Sequence, residues 1–253
     1  MSHEAALLDA IYERPDDDAP RWVYTDYLLE RGDPRGEFLV LQLLRGRRPL
    51  TRDELRSERM LLQYVERWVP NEVARKTMRH TWRFERGFLA RCHLRGSEQP
   101  AGSPQAGHPA WRTVHTLASS GRGFGANRVL FAPALDDVRH LLLTEGPIVE
   151  SFLRDRAPMP ELETFSFGWG NTELATIRQL CASSVMPNLL HLIVLTYSSE
   201  ALTVLAESDL AARVERLSVS SRNSWQAVPE AARTRVTAVD FGGFEIMWRR
   251  FDL

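Results

Sequence analysis

Seven times between Leu89 and Phe241 the chain repeats one short pattern: an apolar residue, two others, an apolar residue, one other, and a third apolar position. The copies are Leu89-Cys92-Leu94, Val114-Leu117-Ser119, Val138-Leu141-Leu143, Leu162-Phe165-Phe167, Leu189-Leu192-Val194, Val214-Leu217-Val219 and Val236-Val239-Phe241. Their central residues follow one another at steps of 25, 24, 24, 27, 25 and 22. A near-constant step in this range is produced by units of one strand each that stack side by side. A single unit cannot bury its apolar face alone, so neighbours must share one continuous core. This constraint predicts a parallel ladder with Cys92, Leu117, Leu141, Phe165, Leu192, Leu217 and Val239 as its rungs.

Composition is consistent with that reading. At 43% apolar and 26% charged the chain is ordinary for a globular protein. With 253 residues it needs no disulfide or metal staple to bury a core. Cys92 and Cys181 have no CxxC spacing, and Cys92 sits on a repeat anchor as a small hydrophobe. A net charge of −1 gives no global pull toward nucleic acid or anionic lipid. Lys76 is the only lysine, so the basic surface is almost wholly guanidinium. No signal peptide and no 18-residue apolar run is visible, and a reduced cytoplasmic setting is expected.

Residues 1–80 read as helices. Leu7, Leu8, Ile11 and Tyr12 share one face of the first. Asp16-Asp17-Asp18-Ala19-Pro20 ends it and offers Asp18 as cap for a second, which carries Trp22, Val23, Tyr27 and Leu28. Asp33-Pro34 repeats the device before Phe38, Leu39, Leu41 and Leu43. Thr51 and Glu54 form a capping box that opens a longer helix through Leu55, Leu62, Val65 and Val69. The segments 81–245 and 246–253 then read as a repeat domain and a C-terminal cap, and Phe244, Ile246, Trp248 and Phe251 are expected to close the last strand.

The run Arg14-Pro-Asp-Asp-Asp-Ala-Pro-Arg21, then Tyr24, Asp26 and Leu28, then Glu30-Arg-Gly-Asp-Pro-Arg-Gly-Glu-Phe38, resembles the short bacterial repeat-companion domain over about residues 4–44. In that family the domain typically lies N-terminal to leucine-rich or other repeats, so the resemblance implies repeats downstream. The seven triplets in turn loosely resemble leucine-rich repeats. That family places Asn or Cys three residues after the last strand anchor; Gly170 and Arg222 stand there instead, and Asn171 and Asn223 each miss by one. The segments 147–156, 172–184, 199–207 and 229–235 read as helices between strands, 121–133 as irregular or strand, and 97–109 as a flexible insertion. The expected fold class is α/β: an N-terminal helical module plus an irregular leucine-rich-repeat-like solenoid with a parallel sheet.

No sequence motif carries catalysis. Gly121-Arg-Gly-Phe-Gly125 lacks the third glycine of a dinucleotide loop and the Gly-Lys of a P-loop. Three adjacent carboxylates at 16–18 do not have calcium-loop spacing and read as capping and turn residues. The seven histidines form no zinc pattern, although His140 and His191 each precede a central anchor. Arg45, Arg47, Arg48, Arg52, Arg56 and Arg59 are interleaved with Asp53, Glu54 and Glu58, which reads as a salt-bridged helix surface. No cofactor or metal is expected, and a nucleic-acid partner or an enzyme is the weaker reading.

Alternation along each strand projects a second set of side chains away from the core. From this set and its neighbours, a partner-binding face is expected from Arg91, His93, His140, Leu142, Ser166, Trp169, His191, Ile193, Leu195, Tyr197, Arg216, Ser218 and Asp240. Leu142, Ile193 and Leu195 are apolar where solvent is expected, and aromatic and Arg residues dominate interface energies. The expected function is non-catalytic protein–protein interaction, as an adaptor or scaffold, with another protein as partner and no membrane. The alternative is an immunity protein that neutralises a cognate toxin.

Overall fold

A computed structural model describes residues 2–95, 107–119, 129–144, 146–168, 174–196, 198–220, 230 and 238–240, with the backbone alone for 220 and 238–240. The fold is mixed α/β. Helices α1 (His3–Glu13), α2 (Ala19–Leu29), α3 (Pro34–Arg45), α4 (Arg52–Leu61), α5 (Val65–Trp68) and α6 (Asn71–Lys76) come first. Strands β1 (Arg83–Glu85), β2 (Phe88–Leu94), β3 (Thr116–Ser119) and β4 (His140–Leu143) follow, then α7 (Gly146–Asp155) and β5 (Thr164–Phe167). The chain continues through α8 (Leu174–Ala182), β6 (His191–Leu195), α9 (Ser199–Glu207), α10 (Asp209–Arg213), β7 (Arg216–Ser220) and β8 (Ala238–Asp240).

Local chemistry accounts for the helical module. Ser2 caps α1 by accepting from the Ala5 N–H, and Thr51 and Glu54 complete both bonds of the capping box on α4. The turn between α2 and α3 explains the motif Arg-Gly-Asp-Pro-Arg-Gly-Glu-Phe almost residue by residue. Gly32 takes a φ of +66°, its N–H donates to the Leu29 carbonyl, and the Asp33 N–H reaches back to Leu28, which is a Schellman closure. Asp33 then accepts from the Arg35 N–H at 2.8 Å to cap α3, with Pro34 in its first turn. At Gly36 a Cβ would lie 3.0 Å from the Leu29 backbone nitrogen, so this glycine sets how closely the helices approach. Arg35 lays its guanidinium 4.8 Å from the centre of the Phe88 ring, and Phe38 is buried.

Two helix expectations change. Asp18 holds the N-cap position of α2 without a side-chain cap bond; the Asp17 carboxylate instead accepts from the Ala19 N–H at 2.9 Å. The long helix expected after Thr51 breaks into α4, a 3-10 turn at Leu62–Tyr64 and α5, and Tyr64 and Trp68 pack against the cluster of Phe38, Leu41 and Leu61.

Among the described residues the sheet has eight strands in chain order, β1 to β8, and of their pairings only β1–β2 is antiparallel. Cys92, Leu117, Leu141, Phe165, Leu192 and Leu217 pair across five successive parallel strand pairs, as the triplets predict. The last rung is displaced. Val239 pairs with Val219, two residues beyond Leu217, and an even shift keeps it on the same face. Every anchor of the first six triplets is buried, Ser119 included. Helices α7, α8, α9 and α10 bury Phe152, Ile177, Leu205 and Leu210 in the same cluster, which runs without a break from Ile11 to Val219. Phe152, Phe165 and Phe167 stack within it at 5.6 and 5.4 Å.

Between the strands, α7, α8 and α9 match the expected helices within about two residues at each end. The described end of the segment 121–133, expected as irregular or strand, is helical at 129 and 130 and leads into a 3-10 turn at Pro133–Leu135. All but residue 230 of the helix expected at 229–235, most of the insertion at 97–109, the Asn ladder positions 170, 171, 222 and 223, and the cap at 246–253 lie outside the described residues.

Candidate functional site

Register sorts the expected docking residues into rows. The row at the strand starts is Arg91, Thr116, His140, Thr164, His191 and Arg216, neighbours in that order. Arg216 is exposed, Arg91, His140 and His191 are half-buried, and the two threonines are buried. His140 and His191 are therefore separated by the strand of Thr164 and do not meet. The next row is His93, Ala118, Leu142, Ser166, Ile193 and Ser218, in which only Ser218 is not buried. Leu195 pairs with Ser220 and is buried too. Trp169, Tyr197 and the side chain of Asp240 lie outside the described residues.

The expectation of an open sheet face thus fails at its centre. Leu142 is 0% exposed and Ile193 6%, and with Ala118 and Leu195 they form a second apolar cluster on the side opposite the main core. Each square ångström of such surface left in water costs about 25 cal/mol, so a contiguous apolar row is a strong reason for closure. His93, in the same row, is buried beside His80, and burial lowers its pKa to about 4.

What stays open is the edge where the strands begin. A cleft of about 490 Å³ lies there between the α1–α2 loop, the β1–β2 turn and the segments leading into β3, β4 and β5. The turn is a two-residue hairpin with Arg86 at φ +50° and Gly87 at φ +79°, the signs of a type I′ turn. It carries Arg86 to the α1–α2 loop, where the guanidinium donates to the Asp16 carbonyl at 2.8 Å and pairs with the carboxylates of Asp16 and Asp18. Arg139 approaches Asp16 from the other side. Burial works against ionisation of Asp16, yet Arg139 and Arg86 outweigh it and hold its pKa below the ordinary value.

Glu85 organises the second half of the cleft. It accepts from Arg91 at 2.8 Å and lies 3.0 Å from His115 Nε2. The hydrogen bond from His115 is the largest reason that the Glu85 pKa falls to about 2. His115 Nδ1 is 3.1 Å from the Thr116 hydroxyl, and the His115 ring stands edge-on to His140 at 6.4 Å. Arg112 pairs with Asp137 at 3.0 Å on the facing wall. Sequence reading picked out Arg91, His140, His191 and Arg216 but missed Asp16, Glu85, Arg86, Arg112, His115 and Arg139 as a group. The available signal was positional: Ala90, His115 and Arg139 each stand just before a strand's first in-register residue.

Both nitrogens of His115 are engaged, and burial drives the Cys92 thiol pKa far up. Among the described residues no group of His, Cys, Asp or Glu is arranged to hold a metal ion, and no helix is long and apolar enough to cross a membrane. No family model, curated protein or solved structure matches the chain, so the site rests on its own geometry.

Proposed function

We propose that the chain is a non-catalytic recognition protein of the cytoplasm, in which a repeat-companion-like helical module precedes an irregular leucine-rich-repeat-like solenoid. It holds another protein along the edge where the strands begin. The observation that carries this reading is the contrast across one sheet face: its apolar centre is buried, while its strand-start edge is open, polar and tied down by ion pairs from Asp16, Glu85 and Asp137. A surface already fixed in one geometry loses little side-chain freedom on binding. The chain-order ladder and the near-constant step between its anchors support the solenoid half of the reading. The Schellman turn and caps at Gly32, Asp33 and Pro34 give the helical motif a physical basis.

Affinity capture from the source cells with mass spectrometry tests it, comparing the native chain with a His191→Glu/Arg216→Glu variant. A protein enriched by the native chain and lost from a variant with unchanged circular dichroism is the expected outcome. Equal enrichment by both, or none by either, overturns the reading.

A further inference from the structure

The strand-start cleft contains a cation without a counter-ion in contact. Arg21, which lines it, is only 2% exposed. Its terminal amino groups donate to the carbonyls of Asp17 at 2.7 Å and Pro15 at 2.6 Å. Its Nε has no hydrogen-bond partner and it forms no ion pair among the described residues. Burial, and then the neighbouring positive charge of Arg86, pull its pKa down to about 10. Asp18, Asp16 and Asp17 oppose that lowering from beyond ion-pair distance and the Phe88 ring lies 5.4 Å from the guanidinium, but burial still outweighs them, and an anion brought into contact relieves the remaining cost.

The walls hold the donors such an anion needs. Arg112 uses Nε on Asp137, and Arg139 uses one terminal amino group on Asp16, and a guanidinium has five N–H groups in a fork that matches a carboxylate. Four of the lining carboxylates are already engaged: Asp16 by Arg86 and Arg139, Asp17 by Arg14, Glu85 by Arg91 and His115, and Asp137 by Arg112. The other two, Glu13 and Glu161, are exposed lining residues. The planar fork of a guanidinium matches the two oxygens of a carboxylate, and phosphate is the comparison that tests this choice.

Resting on the recognition reading above, we infer that the cleft takes a carboxylate side chain from an acidic segment of the partner, held by Arg112 and Arg139 in the field of the buried Arg21. Isothermal titration of the full chain at low ionic strength tests this, with a terminally blocked hexaglutamate peptide as probe and blocked hexalysine and inorganic phosphate as comparisons. Saturable, salt-sensitive binding of hexaglutamate is expected, weakened by about tenfold or more in Arg112→Gln/Arg139→Gln. Arg21→Gln weakens it similarly and Arg21→Lys retains it. Where Arg21→Gln fails to fold by circular dichroism, the wall variant decides. No hexaglutamate binding, equal or tighter binding of phosphate or hexalysine, or unchanged affinity in the wall variant overturns the inference. Loss of the captured partner in His191→Glu/Arg216→Glu without any hexaglutamate binding leaves the recognition reading standing and removes this one.

Discussion

Gly87 and His93 carry the sharpest consequences of single residues. A Cβ on Gly87 would stand 2.2 Å from Leu39 Cδ2 on a backbone at φ +79°, so both space and conformation exclude a side chain. Gly87→Ala is expected to cost about 2–4 kcal/mol in urea denaturation, from the left-handed backbone and the forced repacking together. His93 is buried with its pKa lowered from 6.5 to about 4, so between those values the unfolded chain binds the proton and the folded one does not. Its contribution is fully present above pH 6.5 and is lost as pH falls toward 4, by at most about 3 kcal/mol. Glu85, lowered from 4.5 to about 2 by His115 and Arg91, adds a second loss below pH 4.5. Thermal melts of the native chain therefore fall in two acid stages, and His93→Gln reduces the first, to which His140, its pKa also lowered by burial, adds. An unchanged first stage in that variant would assign it elsewhere.

At the scale of elements, the aspartates before α2 and α3 look alike in sequence and differ in what they do. Asp33 makes its cap bond, and Asp33→Ala is expected to destabilise by about 1 kcal/mol. Asp18 makes none and only pairs with Arg86 at 3.4 Å on a partly exposed surface, so Asp18→Ala should cost less than about 0.5 kcal/mol. Chemical denaturation of the two variants side by side checks the ordering. Caps were legible because an acid followed by proline satisfies the first free N–H groups of a helix wherever the chain goes next. Strand β1 was not, because three residues hold no period and Arg86 stands where Asn or Asp usually marks a type I′ turn. The cleft was less legible still: Asp16 and Arg139 are 123 residues apart, and no local pattern joins them.

Across the whole molecule, the triplets were legible because one inward-facing row must repeat wherever strands stack. Six of the seven central anchors stand in the expected register, and the seventh is displaced by two residues. The opposite face misled for a related reason: alternation says which way Leu142 and Ile193 point, not whether water meets them. Phe165 sits at the crossing of strand and helix layers, stacked between Phe152 and Phe167, and Phe165→Ala is expected to cost roughly 3–5 kcal/mol.

The ladder itself is measured most directly by a distance along it. Arg91, the first residue of β2 in register with β3, and Arg216, which begins β7, lie in the same row, five strand steps apart. At about 4.8 Å a step their backbones lie about 24 Å from each other along the sheet. Double electron–electron resonance between nitroxides at Arg91→Cys and Arg216→Cys, in a Cys181→Ser background, should give one narrow population near that separation, widened by the label arms. A broad distribution, or a single peak beyond about 40 Å, contradicts a chain-order parallel ladder.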